Sequence, residues 1–229
     1  MQKQGWTINE FPAFANYSSV SSKSKSTIHD MELFSYKMTD DTGFAPNPFH
    51  GFLSLATCKP WIRESKALGS WIAGFTSNEL CGDKTGHERL VYLMKITERI
   101  DFNTYYHEPR FHVKRVNSET RIGKSGDNIY HSINGRFKQE RNFFHKEKDA
   151  SNDLKSKIVL LSKHFYYLGQ KAIPIDQFKI KVPRGQSPQG YKTKDESQIL
   201  SLLELISNSF PKNVPAAAPH FWEDGEPFK

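Results

Sequence analysis

One run constrains this chain more than any other. Leu90 to Glu98 reads LVYLMKITE, with Val91 and Leu93 on one side and Tyr92, Met94 and Ile96 on the other. A strand that is apolar on both sides must be covered on both, so it belongs inside a sheet. The rest of the chain has to supply its neighbours and covers. Glu32–Met38 places Phe34, Tyr36 and Met38 on one face at period two, and Phe52–Ala56, Trp71–Phe75 (broken by Gly74) and Ile158–Ser162 are further strand candidates. Trp71–Phe75 is the expected neighbour of Leu90–Glu98. Phe165–Leu168 and Ile173–Ile175 flank Gly169.

The connections hold the helices. Asp40–Phe49, DDTGFAPNPF, is turn chemistry. Pro60 sits where a helix can begin, because its missing N–H costs nothing at the first helical position, and Ile62–Leu68 continues to a stop at Gly69. Asn78–Arg89 reads as a polar loop, and Asp101 caps a short helix through Tyr106. Residues 107–157 are less regular, and the mixed-charge run Lys138–Lys157 reads as a solvated face. Arg184–Lys194 is a Gly/Pro/Gln-rich loop. Glu196–Ser209 is an amphipathic helix carrying Ile199, Leu202, Leu203 and Ile206 at helical spacing. Short strands dominate, without regular βα alternation. The expectation is an α+β fold, a small bent, barrel-like sheet with accessory helices. Its body spans 30–210. Residues 1–29 form a partly flexible extension, with the polar stretch SSVSSKSKS at Ser18–Ser26 and with Trp6, Phe11 and Phe14 available to dock. Residues 211–229 form an irregular tail.

With 229 residues, 17 Phe and 9 Tyr, the chain can bury a sizeable core. Its net charge of +7 suits polyanionic partners, nucleic acid or nucleotide. Cys58 and Cys81 form no CxxC or Cys/His ligand set, so neither a metal site nor a disulfide is expected. There is no Walker loop, dinucleotide fingerprint or serine-hydrolase elbow, and the pattern names no cofactor. No apolar leader or membrane-length run is present, so the expected place is the cytoplasm and no membrane partner is implied.

Several residues can carry chemistry. Asn47 offers an amide donor and acceptor for a base edge on a turn stiffened by Pro46 and Pro48. Lys59 and Arg63, four apart at the start of the Pro60 helix, suit a phosphate. The alternative is that Asp41 and Asn47 satisfy backbone groups in their turn. Cys58, next to Lys59, is a candidate nucleophile. It fits a buried strand position equally well, and no histidine stands close in sequence to serve as its base. Trp71 offers a face for stacking, Ser77 a hydroxyl just past the Trp71 strand, and Lys163 a cation beside Phe165, Tyr166 and Tyr167.

The strings DTGFAPNPF, LATCKPWIR, LGSWIAGFTS and LVYLMKITE, then GDNIY at Gly126–Tyr130 and VLLSKHFYYLG at Val159–Gly169, resemble the second nucleotide-modification-associated domain family over most of 31–210. That family occurs in bacteria and phages and is associated with DNA base modification. The resemblance makes Asp127, Asn128 and Tyr130 ligand-site candidates where their residue types alone suggest a turn, and implies other base-modification proteins as partners. A looser likeness connects the Gly-x-Trp strand to EVE and other PUA-like domains, which hold a modified base in an aromatic pocket. Ser70 stands where that pattern has Asp. The expected function is recognition of a modified base or nucleotide in an aromatic pocket with a basic rim. The alternatives are an enzyme of base hypermodification or nucleotide processing using Asp41, Asp127 or Cys58, and a protein-interaction scaffold.

Overall fold

The computed structural model describes residues 31–185 and 187–223. The extension over 1–29, with Trp6, Phe11 and Phe14, lies outside the described residues, as do 224–229 of the tail. In chain order the elements are β1 (Leu33–Lys37), β2 (Leu53–Leu55), α1 (Pro60–Ser65), β3 (Trp71–Phe75), α2 (Asn78–Cys81), β4 (Arg89–Lys95), β5 (Glu98–Asp101) and α3 (Phe102–His107). A 3₁₀ turn at Pro109–Lys114 follows, then α4 (Arg121–Lys124), β6 (Tyr130–Ile133), β7 (Arg136–Gln139), α5 (Glu147–Asp153), β8 (Ile158–Ser162), β9 (Phe165–Tyr167), β10 (Ile173–Pro174), β11 (Tyr191–Thr193) and α6 (Glu196–Ser209).

The two-sided run forms the interior strand that its pattern demands. β4 lies between β3 on one edge and β9 and β10, end to end, on the other. Beyond β3 come β1, parallel to it, and then β11, antiparallel to β1. The parallel pair follows from the crossover through β2 and α1. A bulge opposite Gly74 and Phe75 inserts Val91. It explains why Leu90 and Leu93, three apart, face the same apolar layer. Gly74 has no alternative there: a Cβ would lie 2.2 Å from the Tyr92 ring and 2.7 Å from the Met38 sulfur.

The sheet bends sharply. β4 runs on through Ile96 and Thr97 into β5, and β8 runs on through Lys163 and His164 into β9. The two bent strands stay paired through the corner, Lys95 N–H to His164 O at 2.9 Å and Thr97 N–H to Leu161 O at 2.9 Å. Beyond the corner the ribbon becomes a second sheet, β2–β8–β5. Among the described residues the strands do not close on themselves: β2, β5 and β11 remain edges, so the fold is mixed α+β with bent sheets and no closed barrel. Three apolar layers result. α6 covers one face of the main sheet with Ile199, Leu202 and Ile206. The main and second sheets face each other through Tyr36, Ile72, Met94 and Leu160. A third layer, with Phe102, Tyr105, Phe111 and Tyr130, lies against the outer side of the second sheet.

Several connections differ from their sequence reading. α1 stops at Ser65, because Lys66 turns extended as the chain swings back to lay β3 along β1. The polar loop after Ser77 contains α2, and the 184–194 loop contains β11. The run Lys138–Lys157 contains α5 and turns several side chains inward, among them Phe144, Leu154 and Ser156 and the two described below, His145 and Asp153. The tail segment is irregular but bound to the body. Ala216 N–H donates to Tyr167 O at 2.8 Å, Gln170 N–H to Ala218 O at 2.8 Å, and the Trp222 indole to Thr42 O at 2.9 Å.

Candidate functional site

β2 ends at Leu55, and the chain reaches α1 through Ala56, Thr57, Cys58 and Lys59. Cys58 (φ 56°) and Lys59 (φ 39°) both lie in the left-handed region. Two consecutive non-glycine residues there are held only when their surroundings enforce it. The Cys58 N–H donates to Asp153 Oδ1 at 2.7 Å, and its carbonyl accepts from Arg63 Nε at 2.8 Å. The rest of the Arg63 guanidinium donates to the carbonyls of Ser156 (3.0 Å), Ile158 (2.7 Å) and Asp153 (2.5 Å). A strand thus feeds a sharp turn that pushes one thiol out ahead of a helix.

The thiol meets a histidine and a carboxylate. Cys58 Sγ lies 3.4 Å from His145 Nε2, and His145 Nδ1 lies 2.8 Å from Asp153 Oδ2. Asp153 is 1 % exposed and also accepts from the Tyr130 hydroxyl at 3.0 Å. His145 sits on a loop whose shape is set by Asn142: its Oδ1 accepts from the N–H groups of Phe144 (3.0 Å) and His145 (2.6 Å). The imidazole also meets Phe44 edge to face at 4.9 Å. Burial opposes protonation of His145, but the hydrogen bonds to Asp153 and Cys58 and their charges outweigh it, and the pKa is pushed up to about 10. At neutral pH the ring is an imidazolium donating to the carboxylate on one side and to the sulfur on the other.

Cys58, His145 and Asp153 are also a set of ligand types that can hold a metal ion. Their order argues otherwise. Cys58 takes one ring nitrogen and Asp153 the other, and the two ring nitrogens point apart, so the ring cannot turn a ligand atom to an ion held between the thiol and the carboxylate. The order is that of a relay: a thiol of a type that can act as nucleophile, an imidazole against it, and a carboxylate that orients the ring.

A cavity of about 200 Å³ opens on the sulfur. Tyr36, Asp40, Phe44, Lys59 and Phe144 line it with Cys58 and His145. Tyr36 accepts a hydrogen bond from the Tyr92 hydroxyl at 2.8 Å, which leaves its own proton for the cavity. Burial raises the Tyr36 pKa, so that proton stays on. The Lys59 ammonium lies over the Tyr36 ring, 4.7 Å from its centroid. Burial lowers its pKa and the neighbouring Cys58 charge opposes this.

Of the residues singled out in the sequence, Cys58, Lys59 and Tyr130 belong to this constellation directly, and Arg63 through the backbone of the turn. Lys59 faces the cavity while Arg63 points into the body. Asp41 anchors the tail: it accepts from the Tyr167 hydroxyl, from His220 Nδ1 at 2.7 Å and from the His220 N–H at 3.0 Å. Asn47 and Asp127 lie in a different, fully buried cluster. The Lys114 ammonium donates to Asn47 Oδ1 (2.7 Å), Asn47 O (2.9 Å) and Phe52 O (2.8 Å). Asp127 accepts from Ser54 at 2.6 Å and Tyr105 at 2.7 Å. Burial pulls the Lys114 pKa down and Asp127 pulls against it. Asn128 donates to the carbonyls of Tyr105 and Phe111. Trp71 is buried beneath α6, with its edge against His164. Ser77 caps α2, accepting from Leu80 N–H at 3.1 Å. Lys163 lies over Phe52, 4.9 Å from its ring centroid.

His145 and Asp153 were missed by sequence reasoning. They stand 87 and 95 residues from Cys58 inside a run that reads as solvated. The available signal is local: Phe143 and Phe144 precede His145, an apolar interruption that a solvated face does not need.

A family model described as nucleotide modification associated domain 2 matches residues 30–226. No curated protein and no solved structure matches the chain. No helix among the described residues is long and apolar enough to cross a membrane.

Proposed function

This chain belongs to the nucleotide modification associated domain 2 family, and from that premise we propose that it is a cysteine-dependent enzyme of nucleotide modification. The observation that carries the reading is the Cys58–His145–Asp153 relay at a strained strand-to-helix turn on the wall of a cavity. The Cys58 thiolate attacks an electrophilic carbon that bears a leaving group, an acyl or amidine carbon. A C–S bond forms, the bond to the leaving group breaks, and the imidazolium of His145 hands its Nε2 proton to the departing atom. His145, now neutral, takes a proton from an incoming water or amine. That nucleophile attacks the thioester-like carbon and the C–S electron pair returns to sulfur. Asp153 keeps the ring in one orientation throughout. Tyr36 and Lys59 are the donors placed to meet charge that develops on the substrate.

Base recognition belongs to the same proposal. Tyr36, Phe44 and Phe144 supply aromatic surface, Lys59 a cation at the rim, and the net charge of +7 favours a polyanionic substrate. The likeness to EVE and PUA-like domains enters here, as a base held beside aromatic side chains on a bent sheet. An activated acyl ester such as p-nitrophenyl acetate tests the chemistry. Intact mass should show one acyl group on Cys58, formed in a burst and absent from Cys58→Ser and His145→Ala proteins that still melt cooperatively. Acylation of Cys58 no faster than that of Cys81 would remove the proposal.

A further inference from the structure

A second cavity, of about 680 Å³, lies on the other side of the loop that carries His145. Its lining includes Tyr106, Arg115, Asn128, Arg141, Asn142 and Phe143. We infer that it binds a nucleotide unit, free or within a strand. The site stands on its own residues and does not need the chemistry at Cys58, so the two readings can fail separately.

The cavity floor is a fixed column of flat groups. The Tyr106 ring stacks on His131 with centroids 4.0 Å apart and planes 14° apart, and the Arg115 guanidinium lies over Tyr106 at 4.2 Å. His131 is held by Glu140 at 2.7 Å, and Arg115 Nη2 donates to Tyr106 O at 2.6 Å. A guanidinium fixed in this way at the end of a stack is a platform for another flat ring. Two buried polar atoms on residues of the same lining have no hydrogen-bond partner among the described residues, Arg115 Nε and Asn128 Oδ1. Asn128 is 1 % exposed, and both carbonyls that its Nδ2 reaches belong to the body, so its oxygen is oriented as an acceptor. One unpaired donor and one unpaired acceptor in the lining suit a ligand that presents both beside the stacked ring, as the base and sugar groups of a nucleotide do.

The rim suits the rest of a nucleotide. Arg141 is exposed, Phe143 is 55 % exposed, and the Lys124 ammonium lies 5.9 Å from the Phe143 ring. Cations interleaved with an exposed aromatic ring favour phosphate and base together. The lining carboxylate, Glu140, already pairs with His131 and Lys138. Asn142 links the two cavities: it lines this one and its Oδ1 holds the N–H groups of Phe144 and His145, which line the other.

The test uses the full chain, fluorescence anisotropy with a short labelled single-stranded DNA, and calorimetry with deoxynucleoside monophosphates. Arg141→Glu should weaken binding by about tenfold or more and flatten its salt dependence. Phe143→Ala should weaken it several-fold. Both side chains are exposed, so both proteins should melt as wild type. Arg115→Lys keeps the charge but loses the Nε donor and the platform, so preference among the monophosphates should fall. The acylation burst at Cys58 is read separately with p-nitrophenyl acetate, so either site can fail without the other. Binding of a monophosphate alone identifies a free nucleotide as the ligand; binding of the strand only identifies nucleic acid. The inference is overturned if wild type binds neither probe, if Arg141→Glu and Phe143→Ala bind like wild type, or if folded Arg115→Lys keeps its base preference.

Discussion

Replacing Asp153 by Asn tests the relay and the strained turn together. The carboxylate accepts three hydrogen bonds, from Cys58 N–H, His145 Nδ1–H and Tyr130 O–H, and its burial leaves no water to replace them. An amide has one oxygen to offer. If that oxygen stays with the Cys58 N–H, the new NH₂ meets two donors, His145 and Tyr130. A hydrogen bond to a charged group contributes about 1.5–3 kcal/mol, so losing two costs about 3–6 kcal/mol. Breaking one side of a buried pair costs about 3–5 kcal/mol, a consistent figure. For a domain of this size that corresponds to a fall in Tm of roughly 6–20 °C. The chemistry should change with it. The folded His145 pKa of about 10 lies above the ordinary histidine value, so the imidazolium's contribution to stability is complete below about pH 6.5 and is lost as pH rises towards 10. Without the carboxylate, burial pulls the ring's pKa down against the Cys58 contact alone. Alkylation of Cys58 by iodoacetamide should then slow by about tenfold or more, one pKa unit of lost stabilisation being tenfold. Cys81 is an internal reference, an exposed thiol whose pKa is raised by burial and by Asp83 against the pull of Arg89. Peptide mass spectrometry reads both cysteines in one digest. The relay is refuted if wild-type Cys58 reacts no faster than Cys81 at pH 6.5, or if Asp153→Asn leaves both Tm and alkylation rate unchanged.

Three further outcomes follow from the buried groups around this site. Lys114→Met should destabilise by about 3–5 kcal/mol in urea titration, because Asn47 and Phe52 carbonyls and the Asp127 carboxylate lose their cation; a cost below about 1 kcal/mol would show that the cluster does not hold the Asn47 turn. Arg63→Lys replaces a fork engaging four carbonyls with a single ammonium, for an expected loss of about 2–4 kcal/mol. Unchanged stability with uniformly weaker nucleic-acid binding would return Arg63 to a phosphate contact. Gly74→Ala should cost about 1–3 kcal/mol or more in a thermal melt, since Tyr92 and Met38 must move to admit the methyl group, and a neutral effect would mean that this corner is loosely packed.

The sequence by itself determined the elements whose pattern is local. β4 is interior because its residues are apolar on both sides, α6 covers a sheet because its apolar residues recur at helical spacing, and two helix starts are marked locally, Asp101 by accepting from N–H groups two and three residues on and Pro60 by having no N–H to satisfy. The family was legible as well, because its strings span most of the domain. Closure of the sheet was not legible, since it depends on which strand edges meet, and the corner at Thr97 and Lys163 turns one ribbon into two sheets instead of a ring. The site was half legible. Cys58 and Lys59 are adjacent in the chain, but the groups that Cys58 meets are a histidine 87 residues away and a carboxylate 95 residues away. Hydrogen bonds of that span leave no periodicity, and a charged run looks solvated whichever of its residues turns inward. Asn47, Asp127 and Arg63 show the converse. Their polar side chains suggested ligands, and only the folded chain shows the protein's own carbonyls, hydroxyls and buried ammonium as the groups they meet. Burial decides this, because a polar group removed from water must be paired at once by whatever the tertiary structure brings within reach.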